Sequence, residues 1–199
     1  KLIEIPPQDI PLDIVYEEQT TREYKGEKIV DVKRSVHPVL MLARNHQAYL
    51  NLCRLQTFLY ENKKTNGVDF KDIQDNPDLL KDVIVLSGGN DNGFLFRQFV
   101  LWQDNPEDRP IYEQKIREHI LFWKERVPYF VELQRYGFEQ ENEYIRFIVP
   151  IANELGVPVV ATNPTYFLNR SDYASHERFM GHKNNYSVFS PYNRKPISV

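Results

Sequence analysis

Apolar residues in this 199-residue chain form two patterns, short continuous runs and stripes at helical spacing. Continuous runs of four to eight residues are typical of strands that are buried on both faces of a sheet. Four such runs are HPVLMLAR (37–44), VIVLS (83–87), YFVEL (129–133) and VPVVAT (157–162). Upstream of them, PLDIVYEE and EKIVDVK alternate apolar and polar residues around the polar segment QTTREYKG, which indicates a hairpin.

Helical spacing fills the segments between these runs. Asn45 is a good N-cap for a helix that buries Leu52, Leu55 and Leu59 and ends near Asn62. NPDLLKD predicts a short helical turn, and longer helices are predicted over 94–103, about 110–127 and ENEYIRFIVPIANELG. In the last of these, Pro150 is expected to kink or break the helix.

The resulting β-α-β-α order from residue 37 onwards predicts parallel strands that alternate with helices, either in an open sheet or in a barrel. In both architectures ligands bind at the carboxyl ends of the strands. The segments expected there are Arg44–Gln47, Ser87–Asn92, Gln134–Gly137 and Asn163–Tyr166. The last of these loops lacks carboxylate, histidine and thiol, which is unusual for an active-site position.

Charge and cysteine content limit the function classes. The net charge of −3, from 25 basic and 28 acidic residues, argues against a stand-alone nucleic-acid binder but allows a domain of a larger DNA enzyme. The single cysteine, Cys53, excludes an intrachain disulfide and favours a reducing cytoplasmic location. No apolar run approaches the roughly 18 residues that a membrane span needs.

No residue emerges as a catalytic, cofactor-binding or metal-binding group. SGGNDNG (87–93) lacks the Lys and Ser/Thr of a phosphate-binding loop, which leaves a tight turn between strand and helix. His119 is expected to be solvated, and the six-residue spacing of His176 and His182 places them on different helix faces. Other candidates without a convincing partner are Cys53, Ser87, Asp91, Glu132, His37 and His46.

Four motifs in order carry a family resemblance: HPVLMLARNHQAYLNLCRL, VIVLSGG, YFVELQRYG and IANELGVPVVATNPTYFLNRSDYASHE. They resemble the PHP (polymerase and histidinol phosphatase) domain of the bacterial DNA polymerase III alpha subunit, with its LAKN, LSGC, ELxRxG and VATNDVHY segments. The match runs from about residue 37 to 180. It implies a distorted (β/α)7 barrel or a large part of one, in which active members hold a metal cluster at the carboxyl ends of the strands.

Carried over position by position, the resemblance implies that this metal site is degenerate. The histidine before the LAKN strand falls on Pro38, with His37 one residue away. The LSGC cysteine falls on Gly89, and the aspartate and histidine of TNDVHY fall on Pro164 and Tyr166. An earlier acidic ligand falls near Asp13 or Ile14, and the family's H-x-H and TDH segments would lie upstream of this chain. Proline, glycine and tyrosine there do not assemble a hydrolytic metal centre.

The resemblance therefore predicts a metal-free scaffold that contacts other polymerase domains and docks the proofreading exonuclease subunit, with DNA bound only through the rest of the polymerase. Residues 1–36 would form an irregular or hairpin segment, 37–183 the α/β core, and 184–199 a linker or, less favoured, a partner site. Two alternatives stay open: a metal-dependent phosphoesterase or exonuclease using His37 and Glu132, and an unrelated α/β interaction module. A doubly wound open sheet would favour the latter.

Overall fold

The computed structural model describes residues 9–24, 27–62, 67–90, 92–137, 140–163 and 165–183. They form six strands and six α-helices. The strands are β1 (Asp9–Tyr24), β2 (Glu27–Ala43), β3 (Val68–Asp69), β4 (Val83–Leu86), β5 (Tyr129–Gln134) and β6 (Val159–Thr162). The helices are α1 (His46–Glu61), α2 (Phe70–Asp75), α3 (Phe94–Asp104), α4 (Arg109–Lys124), α5 (Glu141–Glu154) and α6 (Tyr173–Lys183).

The six strands form one open sheet in the order β3-β1-β2-β4-β5-β6. β4, β5 and β6 are parallel, as predicted, and β3 is parallel to β1. The expectation of parallel strands throughout is wrong for β2, which is antiparallel to both β1 and β4. Within the described residues the sheet ends at β3 and β6, so these residues do not close into a barrel.

The predicted N-terminal hairpin is present but is longer than the sequence indicated. β1 continues through the polar segment expected to turn, and its Tyr24 pairs with Glu27 of β2. The apolar run 37–44 is the last part of β2 and not a separate strand. The alternating segments 11–18 and 27–33 and the apolar run 37–44 therefore belong to one antiparallel ribbon.

The predicted helices are confirmed, with bounds that follow the capping residues. Asn45 accepts a hydrogen bond from the Ala48 backbone N–H at 2.8 Å, which satisfies an otherwise unpaired donor at the start of α1. The same helix ends at Glu61 with Asn62 as its C-cap. α5 runs through Pro150 to Glu154, so the helix does not break at this residue, which is exposed.

The core lies between the sheet and helices α1, α3, α4 and α5. The predicted apolar face of α1 is confirmed, because Leu52, Leu55 and Leu59 are buried. Ile120 of α4 is also completely buried. The largest fully buried side chains are Trp123, Tyr144, Phe99, Met41, Leu52 and Leu95. Burial of this much apolar and aromatic surface supplies the main favourable contribution to folding. No helix in the described part of the chain is long and apolar enough to cross a membrane.

Strand β6 is less buried than its apolar sequence predicted. Val157, just before the strand, is 3% exposed, whereas Val159 is 39% exposed and Ala161 is also exposed. β6 is the edge strand of the described sheet and pairs only with β5, which leaves its other side uncovered by the sheet. The run VPVVAT therefore predicts the strand correctly and its burial incorrectly.

His119 is buried, which corrects the expectation that it is solvated. The side chain is 3% exposed, and its ring stacks on Phe94 with the ring centroids 4.7 Å apart. The rings of Phe70, Trp123 and Tyr129 complete this aromatic cluster. Burial, followed by the charge of His37, lowers the pKa of His119 to about 3.

The depressed pKa of His119 predicts a loss of stability in acid. Between pH 6.5 and 3 the unfolded chain binds a proton at this imidazole that the folded chain excludes, so stability falls as the pH falls. We expect urea unfolding to show a decrease between pH 7.5 and 4.5 that is about 2 kcal/mol larger for the native chain than for His119→Phe. His46→Gln, at an exposed histidine, is the control and retains the native pH dependence. Equal pH dependence of the native chain and His119→Phe would contradict the assignment.

Candidate functional site

The carboxyl ends of β4, β5 and β6 meet at one edge of the sheet, as parallel strands require. β2 runs the other way, so Arg44–Gln47 lie at the opposite edge, where the Arg44 backbone N–H donates to Asp82 O at 3.1 Å. The placement of this segment among the strand-end loops was therefore wrong. The residues at the start of the apolar run 37–44 lie at the carboxyl ends of the parallel strands instead. The register pairs Leu40 with Leu86 and so brings Pro38 beside Gly88.

The loop after β4 is a tight turn, as the sequence indicated. Gly88 has φ +84°, and a Cβ atom on it would lie 2.4 Å from the backbone oxygen of Pro38. Gly93 closes the turn, with its N–H donating to Gly89 O at 2.9 Å. The glycines are therefore explained by backbone conformation and close packing, without a phosphate ligand.

At Gly89, the position matched to the family's cysteine, the space for a side chain is already filled. A Cβ atom there would lie 2.1 Å from Gln134 Oε1 and 2.6 Å from Gln134 Nε2. The Gln134 amide is held from both ends: its oxygen accepts from the Asn90 N–H at 3.2 Å, and its nitrogen donates to Glu132 Oε1 at 3.0 Å. No sequence pattern indicated this role for Gln134.

Glu132 is a strand-end carboxylate that is 4% exposed. Its Oε1 accepts hydrogen bonds from the Thr162 hydroxyl and from Gln134 Nε2, and that amide also donates to Thr162 Oγ1 at 3.2 Å. The backbone N–H of Glu132 donates to Ser87 Oγ at 2.9 Å. Neutral donors thus bond to Oε1 of this carboxylate, and hydrogen bonds of this kind reduce the cost of burying an acidic group.

Glu141 forms a second buried carboxylate site that the sequence analysis missed. It is 3% exposed and accepts from the backbone N–H groups of Tyr136 at 2.9 Å and Gly137 at 3.1 Å. Asn90 Nδ2 adds a hydrogen bond at 3.3 Å and also donates to Gln134 O at 3.0 Å. Its position in the first turn of the predicted helix α5 could have indicated a structural role, because acidic residues there stabilise helix N-termini.

The degenerate family positions are only partly assembled. Pro38 contacts the Gly88 region and Gly89 contacts Gln134, so these two lie at the same edge. Tyr166 is 55% exposed, and its ring centroid lies 5.3 Å from that of His176. Pro164, Asp91 and His182 lie at positions whose side chains are outside the described structure. Among the described residues no group of three or more His, Cys, Asp or Glu could hold a metal ion.

The remaining described candidates, His37 and Cys53, lie among residues of the fold itself. His37 Nδ1 donates to Asn92 O at 2.9 Å, and its ring meets the Phe94 edge at a centroid distance of 5.5 Å. Cys53 is half-buried on α1. Burial raises the pKa of Tyr129 and of Tyr144, so both phenols stay neutral near Glu132. Among the described residues, the side chains that donate to the buried Glu132 carboxylate are the neutral Gln134 amide and the Thr162 hydroxyl.

The filled space at Gly89 predicts a specific pattern of stability effects. We expect Gly88→Ala to cost at least about 2 kcal/mol, because it combines positive φ with a backbone clash. Gly89→Ala displaces only the flexible Gln134 amide and costs about 1 kcal/mol through lost hydrogen bonds.

A double-mutant cycle measured by urea unfolding tests this difference. In a Gln134→Ala background the cost of Gly89→Ala should largely disappear, whereas the cost of Gly88→Ala should stay the same. Strict additivity of Gly89→Ala and Gln134→Ala would contradict the contact.

Comparison with known proteins adds relatives for most of the chain. The chain is 32% identical over 139 residues to the DNA polymerase III subunit alpha of Escherichia coli (strain K12), which covers 69% of this chain and 11% of that protein. The same subunit of Pasteurella multocida (strain Pm70) is 27% identical over 153 residues, covering 76% of this chain and 12% of the relative. That of Deinococcus radiodurans is 28% identical over 155 residues, covering 75% and 11%.

No protein-family model matches the chain. The chain spans about a tenth of the length of the curated relatives it matches. The homologues of this chain are therefore alpha subunits of DNA polymerase III, and the similarity covers a small part of each of them.

Proposed function

We propose that this chain is the PHP-like part of a replicative DNA polymerase III alpha subunit, without a metal centre and without catalytic activity of its own. Its role is that of a scaffold for the other polymerase domains and a docking surface for the proofreading exonuclease subunit in the cytoplasm. The polymerase carboxylates and the DNA-binding surfaces belong to parts of the protein outside these 199 residues.

The observation that carries the proposal is the similarity to alpha subunits over about three quarters of the chain. Several independent relatives share the same name and the same small matched fraction. A sequence that matches about a tenth of a large polymerase is expected to be one structural unit of it.

The order of the last three strands is compatible with the family assignment. β4, β5 and β6 are adjacent, parallel and in chain order, with α-helices between them. Consecutive parallel strands of this kind occur in β/α barrels and also within each half of a doubly wound sheet. The strand order therefore fits both a piece of a distorted barrel and an unrelated α/β module, and the sequence similarity to alpha subunits favours the first.

Contacts among the groups at the strand ends support a domain without catalytic activity. Glu132 is the acidic group that a residual metal centre would need, and it is already bonded to Thr162 and Gln134. The Gln134 amide occupies the space of a side chain at position 89, and His37 donates to a backbone carbonyl through Nδ1. These contacts favour the scaffold over a metal-dependent phosphoesterase or exonuclease.

Immunoprecipitation from extract of the source cell, with an antibody raised to this chain, tests the proposal. We expect a captured polypeptide several times larger than 23.7 kDa, with peptides of a polymerase alpha subunit in mass spectrometry. The proofreading exonuclease subunit should be captured with it. Pre-immune serum is the control. A captured polypeptide near 23.7 kDa would exclude the polymerase assignment, and a large polymerase captured without exonuclease would exclude the docking role alone.

Metal content provides a second test, which concerns the site itself. After dialysis against micromolar zinc and manganese, elemental analysis should find less than about 0.1 metal ion per chain, because the described residues at the strand ends supply too few ligands. A hydrolytically active PHP protein treated in parallel is the control. Stoichiometric metal that is lost in Glu132→Gln would contradict the metal-free assignment.

A further inference from the structure

A cavity opens beside the strand ends, between β2 and α3. Its volume is about 290 Å³. The lining residues are Val36, His37, Asn92, Phe96, Arg97 and Val100. Three of these side chains are apolar and three are polar, so the cavity has a mixed lining. Such mixed lining is characteristic of sites that bind one compact ligand group.

Arg97 supplies an exposed positive charge to this cavity. The residues three and four positions away in the chain are Gly93, Phe94, Val100 and Leu101, so no carboxylate lies at helical neighbour spacing from Arg97. Within the described residues Arg97 has no ion pair. Arg117 on α4 shows the contrast, because it pairs with Glu113 at 3.0 Å and Glu154 at 2.9 Å.

The inner wall of the cavity is preorganised. His37 is 9% exposed and is fixed by its Nδ1 hydrogen bond to Asn92 O and by the Phe94 ring. Val36, at 40% exposure, leaves apolar surface at the mouth. A ligand therefore meets a rigid wall and an exposed cation, an arrangement that reduces the entropy lost on binding.

We propose that this cavity, which we call the Arg97 pocket, binds a segment of a partner polypeptide that presents an apolar side chain next to a carboxylate. The apolar side chain contacts Val36, Phe96 and Val100, and the carboxylate pairs with Arg97. Charge complementarity selects an acidic segment, because a carboxylate forms two parallel hydrogen bonds with a guanidinium.

The size and lining of the pocket favour a peptide over other anions. A cavity of about 290 Å³ accommodates one or two side chains and lies at the lower limit for whole small-molecule ligands. Inorganic anions would leave the apolar half of the lining uncovered. Nucleic-acid sites are rich in positive charge, whereas the lining contains a single arginine and no lysine. The inference goes beyond the proposed function and does not depend on it.

Selection from a random heptapeptide display library on the purified 199-residue chain tests the pocket and leaves the sequence of the bound segment open. We expect enriched peptides to share an apolar residue within two positions of Asp or Glu. The most enriched peptide, synthesised with a fluorophore, should bind at least tenfold more weakly to Arg97→Glu. Val36→Thr, which keeps the side-chain shape but adds a hydroxyl, should weaken binding severalfold.

The matched control is Arg146→Glu, which reverses the charge of another exposed helical arginine and should change affinity less than twofold. Circular dichroism of each variant shows whether the fold is retained. The inference is overturned if the enriched peptides share no acidic residue, or if Arg97→Glu binds them as the native chain does. Full displacement of the peptide by sodium acetate at equal concentration, or by a thymidine decanucleotide, would also overturn it.

Discussion

The Gln134 side-chain amide is the interaction on which the strand-end edge depends. It connects the loop after β4, through the Asn90 backbone, to the carboxylate of β5 and the hydroxyl of β6. An amide suits this position because it donates and accepts at once, whereas a carboxylate would meet Glu132 with like charge. The space it uses exists only because residue 89 is a glycine. One missing side chain and one long neutral side chain thus join the loop after β4 to β5 and β6 at this edge.

Glu141 is a second buried carboxylate whose hydrogen-bond donors are neutral groups. Backbone N–H groups of the turn after β5 and the Asn90 amide surround it. Asn90 is therefore shared by both networks, and the loop 87–90 is connected to β5 and to α5 at the same time. Networks in which every buried acidic group has donors are rigid and specific, and a partial loss is costly because the remaining groups stay buried. A strand-end edge with two buried carboxylates can therefore be rigid enough for the scaffold role proposed above.

The sequence predicted the elements well and their relations less well. α1 was placed to the residue because Asn45 and Asn62 are local capping residues, and local chemistry decides where a helix begins and ends. The direction of β2 was predicted incorrectly because an apolar run indicates only that a strand is buried. It does not indicate which strand lies beside it or whether the two run parallel or antiparallel. The same ambiguity predicted that β6 is buried on both faces, although it is an edge strand with exposed residues. Gln134 was overlooked because its partners lie 2, 28 and 44 residues away in the chain, which no pattern in one sequence reveals.

His37 and Pro38 show how the two strand-end features stay separate although they are adjacent in the chain. His37 lines the Arg97 pocket through its side chain, whereas Pro38 approaches Gly88 through its backbone carbonyl. The loop 87–93 lies between them. It is held at one end by Pro38 and Gln134 and at the other by the hydrogen bond from His37 to Asn92. Both attachments restrain the described residues of the loop, 87–90 and 92–93, so the polar network at the strand ends also helps to fix one wall of the pocket. The stiffness of this strand-end edge can therefore support the binding surface proposed for the Arg97 pocket.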